Sequence, residues 1–275
     1  MSIRGGKRTM IKLIATDLDG TLLRDDGEFN VELMDLLVAQ LADADGHFVV
    51  ATGDPVSHVK KLFKRYPTLT TVAENGAIIV QDDEVRRSFP IPDSLWQEAV
   101  TWIETTDQLA EPYVILAGAN RAYTKLPKDG DRFKASQYYY ENLTHVNDWT
   151  EIPEPILKLD LTWLQDDVND YADAFNREFK GRLVATPSGL GGMDVLLAGI
   201  SKASAVSHLM DQWQIEPTEV LAFGDAGNDV PLLELAGTGI AVENASDAAK
   251  RAASEILLTS NNDDSVLKTA LRLMY

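Results

Sequence analysis

Asp17 and Asp19 stand two residues apart in the run Asp17-Leu18-Asp19-Gly20-Thr21, just after the apolar residues Ile11, Leu13, Ile14 and Ala15. Like charges this close resist joint ionisation unless a cation lies between them. The pair therefore points to a hard metal ion, with one carboxylate free to do chemistry. Asp17 could attack phosphorus and carry an aspartyl phosphate. Asp19 could protonate the leaving oxygen and later activate water, and its backbone carbonyl could also reach the metal.

Three further sets of residues have the same kind of placement. Thr52-Gly53 follows the apolar run ending at Ala51, and Lys202 opens a helical pattern. The string Gly224-Asp225-Ala226-Gly227-Asn228-Asp229 follows Val220–Phe223. Each lies past the C-terminal end of a strand pattern or at a helix start, the edge where open parallel sheets bind ligands. Asp17, Asp19 and Asp225 offer the oxygen ligands that Mg²⁺ takes, alongside waters and a substrate phosphate. Asp229 would hold a metal-bound water, and Asn228 would donate to phosphate or orient Asp225. The Thr52 hydroxyl, the Gly53 amide and the Lys202 ammonium would meet the equatorial phosphoryl oxygens, where charge gathers during transfer.

The elements that must position these residues alternate. A strand before Asp17 precedes a helix near Val31–Leu41, whose Leu33, Leu36, Leu37 and Leu41 share one face. The strand His47–Ala51, a helix from Pro55 to about Tyr66 and a strand near Thr71 follow. Such alternation implies a parallel sheet with helices on its faces. Ala77–Val80 and Val85–Phe89 flank Asp82-Asp83 as a hairpin. Pro90-Ile91-Pro92 marks a linker, and a helix capped near Asp93 or Ser94 follows. Short strands are expected near Tyr113–Leu116 and Ala122–Lys125. Leu157, Leu159, Leu161 and Trp163 alternate with Lys158, Asp160 and Thr162, the pattern of a half-buried strand. A helix near Asp167–Phe179 and strands Leu183–Thr186 and Met193–Leu197 complete an α+β layer expected to leave one sheet face open. From Ser201 the strand–helix rhythm returns, through a helix Ser201–Trp213, the strand Val220–Phe223, a helix Asp229–Leu235, a strand near Gly239–Val242 and a helix Ser265–Leu273.

At this point the chain resembles the Cof-type phosphatases of the haloacid dehalogenase superfamily, which carry a large C2 cap. The matching strings are DLDGTLL at 17–23, ATG at 51–53, ENGA at 74–77, GISKA at 199–203, GDAGND at 224–229 and ENA at 243–245. The resemblance implies an α/β fold, a Rossmann-like doubly wound parallel core with an inserted α+β cap. On that reading 1–90 and 191–275 form the core and 91–190 the cap. It implies Mg²⁺-dependent hydrolysis of a small phosphate monoester, a sugar phosphate or cofactor phosphate. Asp17, Asp19, Thr52 and Lys202 would be catalytic, and Asp17, Asp19, Asp225 and Asp229 would hold the metal. Gly20, Thr21, Thr52, Gly53, Lys202 and Asn228 would bind phosphate. The rival readings are a sugar phosphomutase, a phospho-receiver switch and a non-catalytic sugar-phosphate binder. Asp54 stands where the family usually has arginine, and reads as a helix cap ahead of Pro55.

Composition bounds the rest. The chain has 275 residues, 45% of them hydrophobic, and a net charge of −18, which repels nucleic acid and anionic membrane. With no cysteine it has no thiolate metal site or disulfide, in keeping with a cytoplasmic protein. Residues 1–9 read as an extension ahead of Met10, and no stretch has the length of a membrane span. The expected partner is a small phosphorylated metabolite, with no nucleic acid and no membrane. Lys60, Lys61, Lys64 and Arg65 read as the solvated basic end of a helix. The same reading applies to Arg121, Lys125, Lys128, Arg132 and Lys134, although one or two of them could grip a second anionic group. His47, His58, His145 and His208 show no paired ligand spacing. Gly189, Gly191 and Gly192 read as a hinge or a turn, and Asp264-Ser265 as the start of the last helix.

Overall fold

The computed structural model describes residues 10–163, 168–189 and 191–274. The expected N-terminal extension, and Asp167 at the expected start of a helix, lie outside the described residues. In chain order the elements are β1 (Leu13–Thr16), α1 (Val31–Asp43), β2 (His47–Ala51), α2 (Val56–Leu62), β3 (Thr70–Ala73), β4 (Ile78–Gln81) and β5 (Glu84–Ser88). Then come α3 (Asp93–Thr105), β6 (Tyr113–Gly118), β7 (Ala122–Thr124), α4 (Asp131–Ser136), β8 (Leu143–His145), β9 (Ile156–Thr162) and α5 (Asn169–Glu178). The rest are β10 (Leu183–Gly189), β11 (Gly192–Leu197), α6 (Lys202–Trp213), β12 (Val220–Gly224), α7 (Val230–Leu235), β13 (Thr238–Ala241), α8 (Asp247–Ala252), β14 (Glu255–Ile256) and α9 (Ser265–Leu273). The chain forms two compact units: Met1–Val49 with Ser207–Asp225 and Asp229–Tyr275, and Val50–Val206 with Ala226–Asn228.

In the first unit the strands run in the order β14-β13-β12-β1-β2. β12 pairs in parallel with both β1 and β13, and β13 pairs in parallel with β14. Leu13, Ile14 and Ala15 are fully buried, as are Leu221, Ala222 and Phe223 beside them, which is the continuous apolar signature of a parallel strand covered on both faces. α1 is capped by Asn30, whose side chain accepts from the Leu33 amide at 3.1 Å. Its buried face is Met34, Leu37 and Leu41, while Leu36 is 55% exposed. The expected leucine face is therefore rotated toward Met34, the residue on the same stripe as Leu37 and Leu41. α9 begins at Ser265 as expected. Asp264 occupies its N-cap position in the left-handed region, but its carboxylate accepts from Arg24 at 3.0 Å and Asn30 at 3.1 Å instead of capping.

In the second unit β3, β4 and β5 form an antiparallel run, turning through Asp82 and Asp83, both at positive φ. That is the left-handed pair a tight hairpin requires. A six-stranded sheet in the order β10-β11-β9-β6-β7-β8 draws its strands from the chain between Tyr113 and Leu197. One face packs on α3 and α5 through Leu159, Leu161, Trp96, Val100 and Phe175. The face expected to be open is covered. Ile115, Ala117 and Ala122 are buried there against Phe133 and Tyr140, and Lys158 is only 2% exposed. The register of β6 against β9 slips at Leu157, a bulge that sends this residue to a cluster with Ala73, Ala77, Ile78 and Leu196. Alternation along β9 is real, but its polar side faces protein and not water. Gly189 pairs with Gly192, so these glycines close the β10–β11 hairpin as a turn. α2 is shorter than expected, and its N-cap is Pro55, not Asp54.

Candidate active site

The acidic site grows out of the register of β1 on β12. Thr16 pairs with Phe223 and the Asp17 amide donates to the Phe223 carbonyl at 3.1 Å, so Asp17 and Asp225 leave adjacent strand ends together. Asp229 reaches the same place from the N-cap of α7. Its carboxylate accepts from the Asp225 amide at 3.0 Å, so it folds back to the strand end and does not cap the helix. Gly224 makes the turn possible: a Cβ there would lie 2.4 Å from the Asp229 Cβ. One carboxylate oxygen from each of Asp17, Asp225 and Asp229 lies within 4.8 Å of the others. Thr21 donates its hydroxyl to Asp225 at 2.8 Å, and the Gly20 carbonyl accepts from Asn244 at 2.7 Å. Asp19 stands outside the trio and its residue is exposed.

Three hard oxygens converging in this way fit a small divalent cation, which takes carboxylate oxygens and completes its shell with water. The donor set contains no nitrogen or sulfur ligand. Two of the histidines pack on aromatic rings: His47 stacks on Trp213 with ring centroids 3.7 Å apart, and His58 is buried beside Tyr138 and Tyr139.

In the second unit Thr52 and Gly53 follow β2 in a loop bonded throughout. The Thr52 amide donates to the Val72 carbonyl at 2.9 Å, and the Asn75 amide to the Thr52 carbonyl at 2.9 Å. The Asp54 amide donates to the Thr52 hydroxyl oxygen at 3.0 Å, so that oxygen is already an acceptor and its own proton can be given to a ligand. Lys202 opens α6 as expected, after Ser201, whose hydroxyl accepts from the Ser204 amide at 3.1 Å. It is 1% exposed. Gly76, at φ +102, backs directly onto this helix start, since a Cβ there would lie 2.2 Å from the Ser201 carbonyl oxygen. Asn228 donates to Asn75 Oδ1 at 2.9 Å.

Beside this loop lies a buried charged cluster that the sequence reading assigned no duty. Lys158 Nζ is 2.9 Å from Glu74 Oε2, 3.7 Å from Asp194 Oδ1 and 2.7 Å from the Gly53 carbonyl oxygen. Asn75 donates to the second Asp194 oxygen at 2.5 Å. Glu74 and Asn75 are both left-handed, at φ 48 and 54, a backbone that costs roughly 1–3 kcal/mol per residue outside glycine. Burial lifts Glu74 to about 7, with Lys158 pulling the other way. Burial likewise lifts Asp194 to about 6, against the fields of Lys158 and Lys202. Burial opposes the charge on Lys158, but the fields of Asp194 and Glu74 outweigh it and hold this lysine well above the usual range. The Glu74-Asn75-Gly76 string carried the signal for half of this cluster. Lys158 carried none, because alternation placed it on a face expected to meet water, and Asp194 was read only as part of a strand.

A family profile for haloacid dehalogenase-like hydrolases matches residues 14–269. The chain belongs to this family. It is similar to a 5-amino-6-(5-phospho-D-ribitylamino)uracil phosphatase, YbjI, of Escherichia coli, with 29% identity across 94% of each chain. It is also 27% identical to a phosphatase of the same description, YitU, of Bacillus subtilis, over 91% of this chain and 93% of that one. A solved structure from Streptococcus mutans superposes with a TM-score of 0.90 at 29% identity, covering 95% of this chain and 98% of that one. The chain is a phosphatase of the haloacid dehalogenase superfamily, Cof type, hydrolysing phosphate monoesters on an α/β fold with a parallel sheet core. Among the described residues no helix is long and apolar enough to cross a membrane.

Proposed function

We propose that this phosphatase hydrolyses a small, polar phosphate monoester with Mg²⁺, through an aspartyl-phosphate intermediate. The convergence of Asp17, Asp225 and Asp229 within 4.8 Å is the observation that carries the reading. Those three would hold the ion, with Asp19 joining the set only through its backbone carbonyl. Bound there, Mg²⁺ would offset the charge of the incoming phosphate. Asp17 attacks phosphorus through a carboxylate oxygen, and the ester P–O bond breaks. Asp19, exposed and outside the acidic trio, gives the departing alkoxide a proton. It then takes a proton from the water that attacks the phosphorus and frees Asp17, releasing inorganic phosphate. Thr52, Gly53 and Lys202 bind the phosphoryl oxygens, Thr52 with the proton that its bond from Asp54 leaves available. Thr21 is assigned to Asp225, to which its hydroxyl donates, and not to phosphate.

The division into 1–90, 91–190 and 191–275 belongs to this reading. The separate sheet of β6 to β11 supports an inserted cap, and because β11 runs to Leu197 it carries the end of that cap past 190. The polarity of the substrate is supported by a cavity of about 180 Å³ whose lining includes Ser57, Glu74, Asn120, Arg121, Tyr140 and Asn142. All six can hydrogen-bond, four of them without a net charge, which suits hydroxyl and amide groups better than an aryl ring. A small phosphorylated metabolite in a cytoplasmic setting is the corresponding partner. The compound named for the E. coli and B. subtilis relatives heads the panel to be tested, followed by sugar phosphates. Asp17→Asn should stay folded and lose turnover by about 10⁴-fold or more in a phosphate-release assay. Retention of more than about a hundredth of the activity would sink the covalent mechanism.

A further inference from the structure

We propose that Lys158 is a positioning residue of the reaction: from β9 it clamps the Gly53 carbonyl and so holds the Thr52-Gly53 loop in its phosphate-binding geometry. The inference rests on the reading that this loop binds the phosphoryl group. Three observations carry it. First, the peptide between Gly53 and Asp54 is held at both ends, its carbonyl by Lys158 at 2.7 Å and its N–H by the Thr52 hydroxyl oxygen at 3.0 Å. A peptide group is planar, so fixing both ends fixes the orientation of the hydroxyl oxygen that accepts from it. Freeing the carbonyl lets the plane turn, and the Thr52 proton loses its aim.

Second, Lys158 is anchored and not a loose surface chain that happens to touch the loop. It is 2% exposed, and it is paired with Glu74 and Asp194, themselves 2% and 5% exposed. Burying an ammonium costs several kcal/mol unless charge and hydrogen bonds compensate it. Here two carboxylates and one carbonyl do so, and those groups fix the position of its nitrogen. Third, the same cluster continues to other residues of the phosphate-binding set. Asp194 accepts from Asn75, and Asn75 accepts from Asn228. A Cβ at Gly53 would lie 3.3 Å from Asn75 Nδ2 and 3.5 Å from Asp194 Oδ2, so the loop rests on this pair. One lysine from a strand distant in sequence thus holds the loop and orders the residues beneath it.

The test is a double-mutant cycle on Lys158→Met and Thr52→Ala, read as kcat, KM and inhibition by inorganic phosphate. Lys158→Met should lower kcat roughly ten- to a hundredfold with a smaller change in KM. It should also raise the inhibition constant of inorganic phosphate by about tenfold. In the Thr52→Ala background the same substitution should cost less than about threefold, because its effect runs through the loop. A role in stability alone would give the same cost in both backgrounds. Lys158→Gln, which keeps a donor for the carbonyl, should fall between the wild type and Lys158→Met. If Lys158→Met is folded and within about twofold of wild type, or if the two substitutions are additive, the proposal fails. If Lys158→Met does not fold, Lys158→Gln decides by the same criteria, and failure of both to fold assigns Lys158 to stability and overturns the proposal. If Thr52→Ala itself leaves activity unchanged while Asp17→Asn abolishes it, the fault lies in the underlying reading of the loop.

Discussion

Two groups of buried or half-buried acids lie in this protein, and they are built in opposite ways. Asp17, Asp225 and Asp229 converge on one another, with an oxygen of each within 4.8 Å of the rest. Glu74 and Asp194 converge on a lysine that the chain itself supplies. Carboxylates brought together repel unless a cation joins them, which is why the proposed function gives the first group a divalent ion. In the second group the cation is covalently part of the fold, and one lysine faces two carboxylates. Burial lifts both acids further than the lysine can offset, Glu74 to about 7 and Asp194 to about 6. On the proposed reading the same residue types serve chemistry in one place and geometry in the other.

Breaking the first group should have the larger effect on catalysis. Asp225→Asn should lower kcat/KM by about 10²-fold or more, and chelation of divalent cations should do the same to the wild type. Added Mg²⁺ should restore the chelated wild type and raise its melting temperature, since a ligand of the native state stabilises by about 2.7 kcal/mol at a hundred times its Kd. Asp225→Asn should show little of that rise. A wild type that is fully active in excess chelator would remove the contrast between the groups.

The second group should reveal itself in stability and pH. A carboxyl whose pKa is higher in the folded than in the unfolded state binds its proton more tightly when folded. Its contribution is greatest in acid, and it is lost as pH rises from the unfolded value near 4.5 to the folded value of about 7. For Glu74 that amounts to a loss on the order of 3 kcal/mol across the window. Glu74→Gln removes this titration, so the wild type should lose stability relative to the variant between pH 5 and about 7.5, followed by thermal or denaturant unfolding at each pH. Parallel curves for the two proteins would show that Lys158 keeps Glu74 ionised throughout.

The smallest effects are expected away from both groups. Lys125 pairs with Glu104 at 2.9 Å and lies over the Trp149 ring, and Arg132 lies over Tyr113. These cations are engaged locally, so Lys125→Ala and Arg132→Ala should each change KM by less than about twofold and stability by about 1 kcal/mol or less. A tenfold rise in KM for one substrate alone would restore the idea that one of them grips a second anionic group.

Much of the acidic group was legible in the sequence because its cause is local. The strings at 17–23 and 224–229 each follow an apolar strand, and chemistry at strand ends leaves its mark on consecutive residues. Lys202 at the opening of a helix was legible for the same reason. The errors came where a residue's partner is far along the chain. Asp264 has the composition of a cap, yet its carboxylate turns to Arg24 and Asn30. Period-2 alternation separates the two faces of β9 but cannot say what covers the second face.

The sequence alone determined the strand and helix alternation, the motif order and the family, because these depend on residue type and spacing. Only the tertiary structure decided which acids converge, that Asp19 stands outside the trio, and that Lys158 holds the Gly53 carbonyl across 105 residues of chain. The physical reason is that a buried charge is tolerated only with its partners in place. Those partners are chosen by packing between segments that no local pattern connects.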